Sequence, residues 1–274
     1  MKFILISDVH VDINRWDPDC LNDCSPDCNT IVVAGDISND VWTTSKWIVD
    51  LKKSWENVIW VPGNHDYYNT KFDRRYEVDI TLDNKYPFPK YQNEIRTHYK
   101  NWSNDHGIIF LDHRNVIIDG VNFLGATGWH NFVAGEPYSK DQQIDAWYNK
   151  SADRIINWRD QPQDWVIVEE NAINDASFIR ESVATSTHPC VVVTHHLPHR
   201  MLSATRPYDI IWTKLHGMFV NTYCENINNS NIKYWCYGHT HFRNMRELNG
   251  ITYVCNPVGY PGENFNWSKV ELEV

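Results

Sequence analysis

Val61-Pro62-Gly63-Asn64-His65-Asp66-Tyr67-Tyr68 closes an apolar run, Val58 to Val61, with three polar side chains in a row. The run reads as a buried strand, and Pro62-Gly63 turns the chain at its end, because proline fixes φ and glycine accepts either sign. Turn chemistry accounts for the Pro-Gly-Asn step taken alone. It does not account for the way other β-runs end. The run at 2–7 (KFILIS) releases Asp8-Val9-His10, and 31–34 (IVVA) releases Gly35-Asp36. The run at 190–194 (CVVVT) releases His195-His196, and 232–237 (IKYWCY) releases Gly238-His239-Thr240-His241. In open α/β sheets the loops leaving the carboxyl ends of parallel strands converge, and ligands bind there.

Further β-runs fall at 58–61, 108–111, 115–126, 251–255 and 268–274. Asp119-Gly120 inside 115–126 marks a tight hairpin. Val41, Ile48, Leu51 and Trp55 share one face of a helix, with Ser38 or Asp40 as the N-cap. Strand, helix, strand is the signature of a parallel sheet. Helical spacing recurs in Tyr91, Ile95, Tyr99 and Trp102, and again in Ile144, Trp147, Ser151, Ile155 and Trp158. We read one domain over 1–274, with an insertion or lid around 67–105 and helical cap elements around 137–185.

The composition is that of a folded chain: 274 residues with 42% hydrophobic and 22% charged side chains supply both a core and a solvated surface. No apolar run reaches the length of a membrane span. The opening MKFILIS meets Asp8 at once, which fits a first strand and not a signal peptide, so a cytoplasmic protein is expected. Seven cysteines, an odd number, do not form a disulfide framework. Cys20, Cys24 and Cys28 lack a fourth ligand at zinc-finger spacing and read as a loop with thiols. The sequons at Asn101, Asn228 and Asn266 carry little without a secretory signal. With 25 basic and 35 acidic residues and a net charge of −10, the chain has no concentrated basic surface for duplex nucleic acid.

The strand-end residues share one chemistry. Carboxylate, amide oxygen and imidazole together suit Mn, Fe, Zn, Ni or Co. Asp8-x-His10 and His239-x-His241 each place two side chains on the same side of an extended segment, so each pair can serve one metal or two adjacent ones. Singly, each piece is ordinary: Gly-Asp is a turn, an Asp after a strand caps a helix, and a lone H-x-H lies on a surface. Five such ends in one chain are a pattern.

Asp8-x-His10, Gly35-Asp36, Gly63-Asn64-His65-Asp66, His195 and Gly238-His239-x-His241 resemble, in order, the motifs of the calcineurin-like metallophosphoesterase superfamily. That resemblance implies an α/β fold, a four-layer sandwich of two mixed β-sheets flanked by helices. It further implies two divalent metal ions, one held by Asp8, His10, Asp36 and His241 and the other by Asp36, Asn64, His195 and His239, with Asp36 shared. Either histidine of the pair His195-His196 can be the ligand; the V-x-x-H pattern favours His195. The implied reaction is phosphoester hydrolysis by in-line attack of a metal-bridging hydroxide, the ions lying about 3.5 to 4 Å apart. His65, beside a ligand but not one, then protonates the leaving group. For Asp66 two readings stand, an orienter of His65 or a structural turn residue.

The substrate expected is a small-molecule or nucleotide-type phosphoester, from cyclic nucleotides to nucleotide-sugar conjugates. Phosphodiester hydrolysis, with which His10 in the D-x-H motif is compatible, is favoured over monoester hydrolysis. Separately, Asp36-Ile37-Ser38-Asn39-Asp40 lacks the arginine of the protein Ser/Thr phosphatase branch, which counts against that branch. Trp129 and His130 follow a strand end, and His113 and His130 are either polar loop histidines, the favoured reading, or leaving-group contacts. Tyr67, Tyr68, Tyr91, Trp102, Trp147 and Trp158 are either core or a base-stacking lid. Arg200, Arg206 and Lys214 are either phosphate contacts or solvated loop charges, and Asn256 is a candidate support for the ligands. Two other classes compete. One is a catalytically silent metal-binding scaffold, which an intact His65 argues against. The other is a metal-dependent amidohydrolase, whose eight-fold βα pattern the hairpin at 115–126 breaks. Oligomeric state is left open.

Overall fold

A computed structural model describes residues 1–14, 21, 25–69, 89–158, 161–203, 216–264 and 267–274. In chain order the helices and strands are β1 (Lys2–Ile6), α1 (Val11–Asn14), β2 (Thr30–Ala34), α2 (Val41–Lys52), β3 (Asn57–Val61), α3 (Gln92–Asp105), β4 (Ile109–Phe110), β5 (Arg114–Ile118) and β6 (Val121–Gly125). They continue with α4 (Lys140–Lys150), β7 (Asn157–Trp158), β8 (Gln161–Pro162), α5 (Trp165–Thr185), β9 (Cys190–Val193), β10 (Ile232–Tyr237), β11 (Asn244–Leu248), β12 (Ile251–Cys255) and β13 (Val270–Glu273).

All strands but β7 and β8, which pair antiparallel with each other, form two mixed sheets. One has the order β13-β1-β2-β3-β4, parallel except for β13; the other runs β11-β12-β10-β9-β6-β5, with a parallel centre and an antiparallel strand at each edge. Strand periodicity decides the layering, because alternate residues face opposite sides. In β1, Phe3 and Leu5 meet Phe123, Val191, Val193, Cys236 and Val254 of the second sheet. Ile4 and Ile6 point the other way, into a cluster with Val41, Ile48 and Leu51 of α2 and Ile95 and Tyr99 of α3. On the far side of the second sheet, Val192, Trp235 and Tyr253 pack with Ala176, Ile179 and Val183 of α5. The result is the expected four-layer sandwich of two mixed β-sheets flanked by helices. Strands divided between two sheets also rule out the barrel of an amidohydrolase.

Local expectations fare unevenly. Asp40, not Ser38, caps α2, its side chain accepting from Thr43 N at 2.8 Å. The helical pattern through 144–158 breaks early: Ser151 is extended, its side chain accepts from Asp153 N, and Trp158 belongs to β7. β11 went unread because its residues alternate between half-buried and exposed and bring few apolar side chains to the core. Its hairpin with β12 turns at Asn249-Gly250, both left-handed. Tyr67, Trp102 and Trp147 are buried in the core, against a stacking role for these three rings. Residues 70–88 of the expected lid lie outside the described residues, as do Cys20, Cys24, Arg206 and Lys214. Among the described residues, no helix is long and apolar enough to cross a membrane.

Candidate metal centre

The parallel strands deliver the polar residues to one end of the sandwich. β1, β2 and β3 pair in register, so Asp8, Asp36 and Asn64 leave neighbouring strand ends, and β9 and β10 do the same for His195 and His239. Short backbone bonds lock these loops: Asp8 N donates to Gly35 O (2.9 Å), His10 N to Asp36 O (3.1 Å) and Gly238 N to His195 O (2.9 Å). Asp8, His10, Asp36, His239 and His241 all adopt left-handed backbone, with φ between 44° and 70°. Such conformations cost about 1–3 kcal/mol each in a residue with a β-carbon, and they persist where the surroundings over-determine them.

Two clusters result. Ligand-type atoms of Asp8, His10, Asp36 and His241 lie within 4.8 Å of one another, as do those of Asp36, His195 and His239. Asp36 belongs to both. Asn64 joins the second, its Oδ1 lying 3.1 Å from His195 Nε2. His195, not His196, enters the cluster: His195 Nε2 is 3.2 Å from both Asp36 Oδ2 and His239 Nδ1. His196 lies behind His239, with ring centroids 4.4 Å apart and the rings tilted at 41°, and neighbours buried His130 and Trp129.

The far nitrogens of His195, His239 and His241 are committed elsewhere, which fixes their tautomers. His195 Nδ1 donates to Ala34 O at 2.8 Å, His239 Nε2 lies 3.3 Å from Met218 O, and His241 Nδ1 pairs with Glu263 Oε2 at 2.7 Å. What remains are nitrogens facing nitrogens: His10 Nε2 and His241 Nε2 lie 3.1 Å apart. Burial holds His10 and His239 well below the usual imidazole range, so their lone pairs are available. Burial pulls His195 down too, but the Asp36 carboxylate outweighs it and brings it up to about 9. Asp8 and Asp36 are 0% and 1% exposed, and no described Lys or Arg pairs with either. Two buried carboxylates with converging imidazole lone pairs call for cations. The donor set of oxygen and imidazole, without thiolate, fits divalent ions of the first transition row.

Close approach demands glycine here. A Cβ on Gly63 would collide with Asp36 Oδ1, and one on Gly35 would come within 2.6 Å of His195 Nδ1.

His65 stands beside the clusters. Its backbone N–H donates to Asp36 Oδ1 at 2.9 Å, while its Nε2 lies 3.9 Å from Asp36 Oδ2. Its Nδ1 donates to Asn39 Oδ1 at 2.7 Å, and Asn39 Nδ2 donates to Asp12 Oδ2 at 2.8 Å, which fixes the amide's orientation. Asp66 takes the structural role of the two read for it. Its oxygens accept from Gly63 N (2.8 Å), Asp36 N (2.9 Å), Ile37 N (3.1 Å), Ser38 N (3.3 Å) and Thr44 Oγ1 (3.1 Å), tying two metal-site loops together. Burial and the nearby Asp36 charge push its acid up to about 7.

Sequence reasoning passed over Asn39, Asp153 and Glu263. Asn39 lies three residues after Asp36, a usable signal; Asp153 carried none. His113 pairs with Asp175 at 2.5 Å, and Arg200 is engaged by Glu225 (2.9 Å) and Glu136 (3.2 Å). Asn256 supports β1 by donating to Leu5 O at 2.9 Å.

Residues 1–243 match the family profile described as calcineurin-like phosphoesterase. The chain belongs to the calcineurin-like phosphoesterase family. Members hold a dinuclear divalent metal site and hydrolyse phosphoesters, so the chain is a metal-dependent phosphoester hydrolase. A relative, the uncharacterized protein L509 of Acanthamoeba polyphaga mimivirus, is 24% identical over 250 residues, covering 87% of this chain and 81% of that one. The phosphopantetheinyl hydrolase PptH of Mycobacterium tuberculosis superposes with a TM-score of 0.76 at 17% identity, over 99% of this chain and 95% of that one. TT1561 of Thermus thermophilus gives 0.51 at 11% identity, over 93% and 88%. At these identities the structures share the calcineurin-like fold.

Proposed function

We propose that this calcineurin-like phosphoesterase hydrolyses a phosphodiester of small-molecule or nucleotide type. Asp8, His10, Asp36 and His241 would hold one metal ion and Asp36, Asn64, His195 and His239 the other. The observation that carries this reading is Asp36, one buried carboxylate common to both clusters with His65 outside them. Two divalent ions bound there lower the pKa of water toward neutrality and neutralise charge on phosphoryl oxygens.

The chain's own residues supply the rest. Asn39 keeps the proton of neutral His65 on Nδ1, so Nε2 is the atom that takes and gives the second proton. From Nε2 that proton passes to the leaving oxygen, in line with general acid catalysis at a group near the scissile bond. Arg200 is already paired, and no described cation touches the clusters. A monoanionic diester therefore suits the site better than a dianionic monoester. We read the chain as one working unit: the cap elements around 137–185 contribute Asp153, which reaches Asn64 at 2.9 Å. The buried thiols of Cys190, Cys224, Cys236 and Cys255, none in a disulfide, suit the cytoplasm.

The test strips the protein of metal, restores Mn²⁺ and compares bis(p-nitrophenyl) phosphate with p-nitrophenyl phosphate, beside Asp36→Ala. Mn-dependent release that favours the diester and vanishes with metal binding in Asp36→Ala is expected. Normal metal content in Asp36→Ala would remove the shared-ligand role, and faster monoester turnover would remove the diester preference.

A further inference from the structure

The turn at 258–264 is fastened to the metal-site loops. Val258 N donates to Ser7 O and Gly259 N to Asp8 O, both at 2.9 Å, and Asn14 Nδ2 donates to Gly259 O at 2.5 Å. Glu263 Oε2 accepts from Tyr260 N at 2.7 Å while pairing with His241 Nδ1 at 2.7 Å. This holds the half-buried Tyr260 against the centre. Its ring centroid is 4.6 Å from those of both His10 and His241, and its hydroxyl lies 3.5 Å from His65 Nε2.

We propose that Tyr260 is a second catalytic residue, whose hydroxyl forms with His65 Nε2 a two-donor cradle for the leaving oxygen of the phosphoester. This rests on the reading of His65 as the acid. Two donors 3.5 Å apart can both reach one oxygen at ordinary hydrogen-bond length, about 2.7 to 3.0 Å. Donors fixed in advance toward the atom where negative charge grows stabilise the transition state without reorganising. Here the turn does the fixing.

The step balances as follows. A water oxygen forms the new bond to phosphorus and gives up a proton to solvent. The bond from phosphorus to the leaving oxygen breaks, and that oxygen takes the proton from His65 Nε2 and departs as an alcohol. Tyr260 keeps its proton throughout. Its O–H donates to the leaving oxygen as charge builds there, then turns to the emptied lone pair of Nε2. Reprotonation of His65 from solvent resets the site.

The experiment uses Mn-loaded wild type, Tyr260→Phe and His65→Ala on a series of methyl aryl phosphates running from p-nitrophenol to phenol as leaving group. Tyr260→Phe should keep both metals and its thermal midpoint, lose kcat on the order of a hundredfold on the phenyl ester, and lose only slightly on the nitrophenyl ester. A uniform loss across the series, no loss, or loss of metal would each overturn the proposal. A leaving-group-dependent loss in His65→Ala beside a uniform one in Tyr260→Phe would overturn Tyr260 alone. If His65→Ala loses uniformly, or wild type with both metals cleaves none of the esters, the reading of His65 falls and the Tyr260 proposal with it.

Discussion

Asn64 Nδ2 donates to Asp153 Oδ1 at 2.9 Å, and Tyr68 donates its hydroxyl to the same oxygen at 2.7 Å. An amide whose nitrogen is held this way must present its oxygen on the other side, and there Oδ1 faces His195 Nε2 at 3.1 Å. Asp153 thus sets which end of Asn64 a metal would meet. Partners of this kind orient ligands, and their loss commonly costs about 10–100-fold in metal affinity. Asp153→Ala should weaken one of two bound Mn²⁺ ions by that order and leave the other alone. Calorimetric titration of metal-stripped protein measures it; two ions at wild-type affinity would show that Asp153 does not orient Asn64.

Gly63 carries the tightest packing in the centre. A methyl group there would meet Asp36 Oδ1 and the Asp36 backbone N–H. Overpacking of this kind costs about 1–3 kcal/mol, and here the displaced group is the carboxylate shared by both clusters. Gly63→Ala is expected to lower the thermal midpoint and lose metal together. Retention of both ions with full activity would mean that the Asp36 loop can move aside.

How much of this was legible follows from where the signal sits in the chain. The ends of β1, β2, β3, β9 and β10 show their apolar runs and polar releases locally, so all seven proposed ligands and His65 were readable. The layering came through the family resemblance alone, because central runs such as Ile31 to Ala34 and Cys190 to Val193 are apolar and buried on both faces and show no alternation. Asp153 was not, because its contact with Asn64 joins residues 89 positions apart and nothing in Ala152-Asp153-Arg154 marks it. The long helix α5 was read only as part of a cap region, although its buried positions Val168, Ala172, Ala176, Ile179 and Val183 keep helical spacing. The 144–158 pattern failed for the opposite reason. Apolar spacing continued past Ser151, but the Ser151 hydroxyl captured the Asp153 N–H and ended the helix there.

His113 provides a pH handle away from the metals. Burial pulls its imidazole down, but the hydrogen bond and charge of Asp175 outweigh that and leave it above its ordinary 6.5. Asp175 also accepts from Gly128 N at 2.8 Å and Trp129 N at 3.0 Å, so the pair anchors the loop after β6. A raised histidine contributes stability that is full below the unfolded value and is lost as pH rises through the folded one. Wild type should therefore exceed His113→Gln in thermal midpoint most at about pH 6 and least at about pH 9. A gap that is constant or widens with pH would contradict the ion pair.

Glu263 stands to His241 as Asp153 stands to Asn64. Its carboxylate holds the His241 Nδ1–H and leaves Nε2 facing His10 Nε2 at 3.1 Å. Glu263→Ala should then weaken the other ion, the one proposed for Asp8, His10, Asp36 and His241, by about 10–100-fold. An ion present at 100 times its dissociation constant adds about 2.7 kcal/mol to folding stability, so the effect also reaches the melting curve. At low micromolar Mn²⁺, Glu263→Ala and Asp153→Ala should each melt between the apo and the fully loaded wild type. Because each weakens a different site, the double variant should fall to the apo midpoint. A double variant that melts no lower than either single one would mean that both residues support the same site, and the division of ligands between two ions would have to be redrawn.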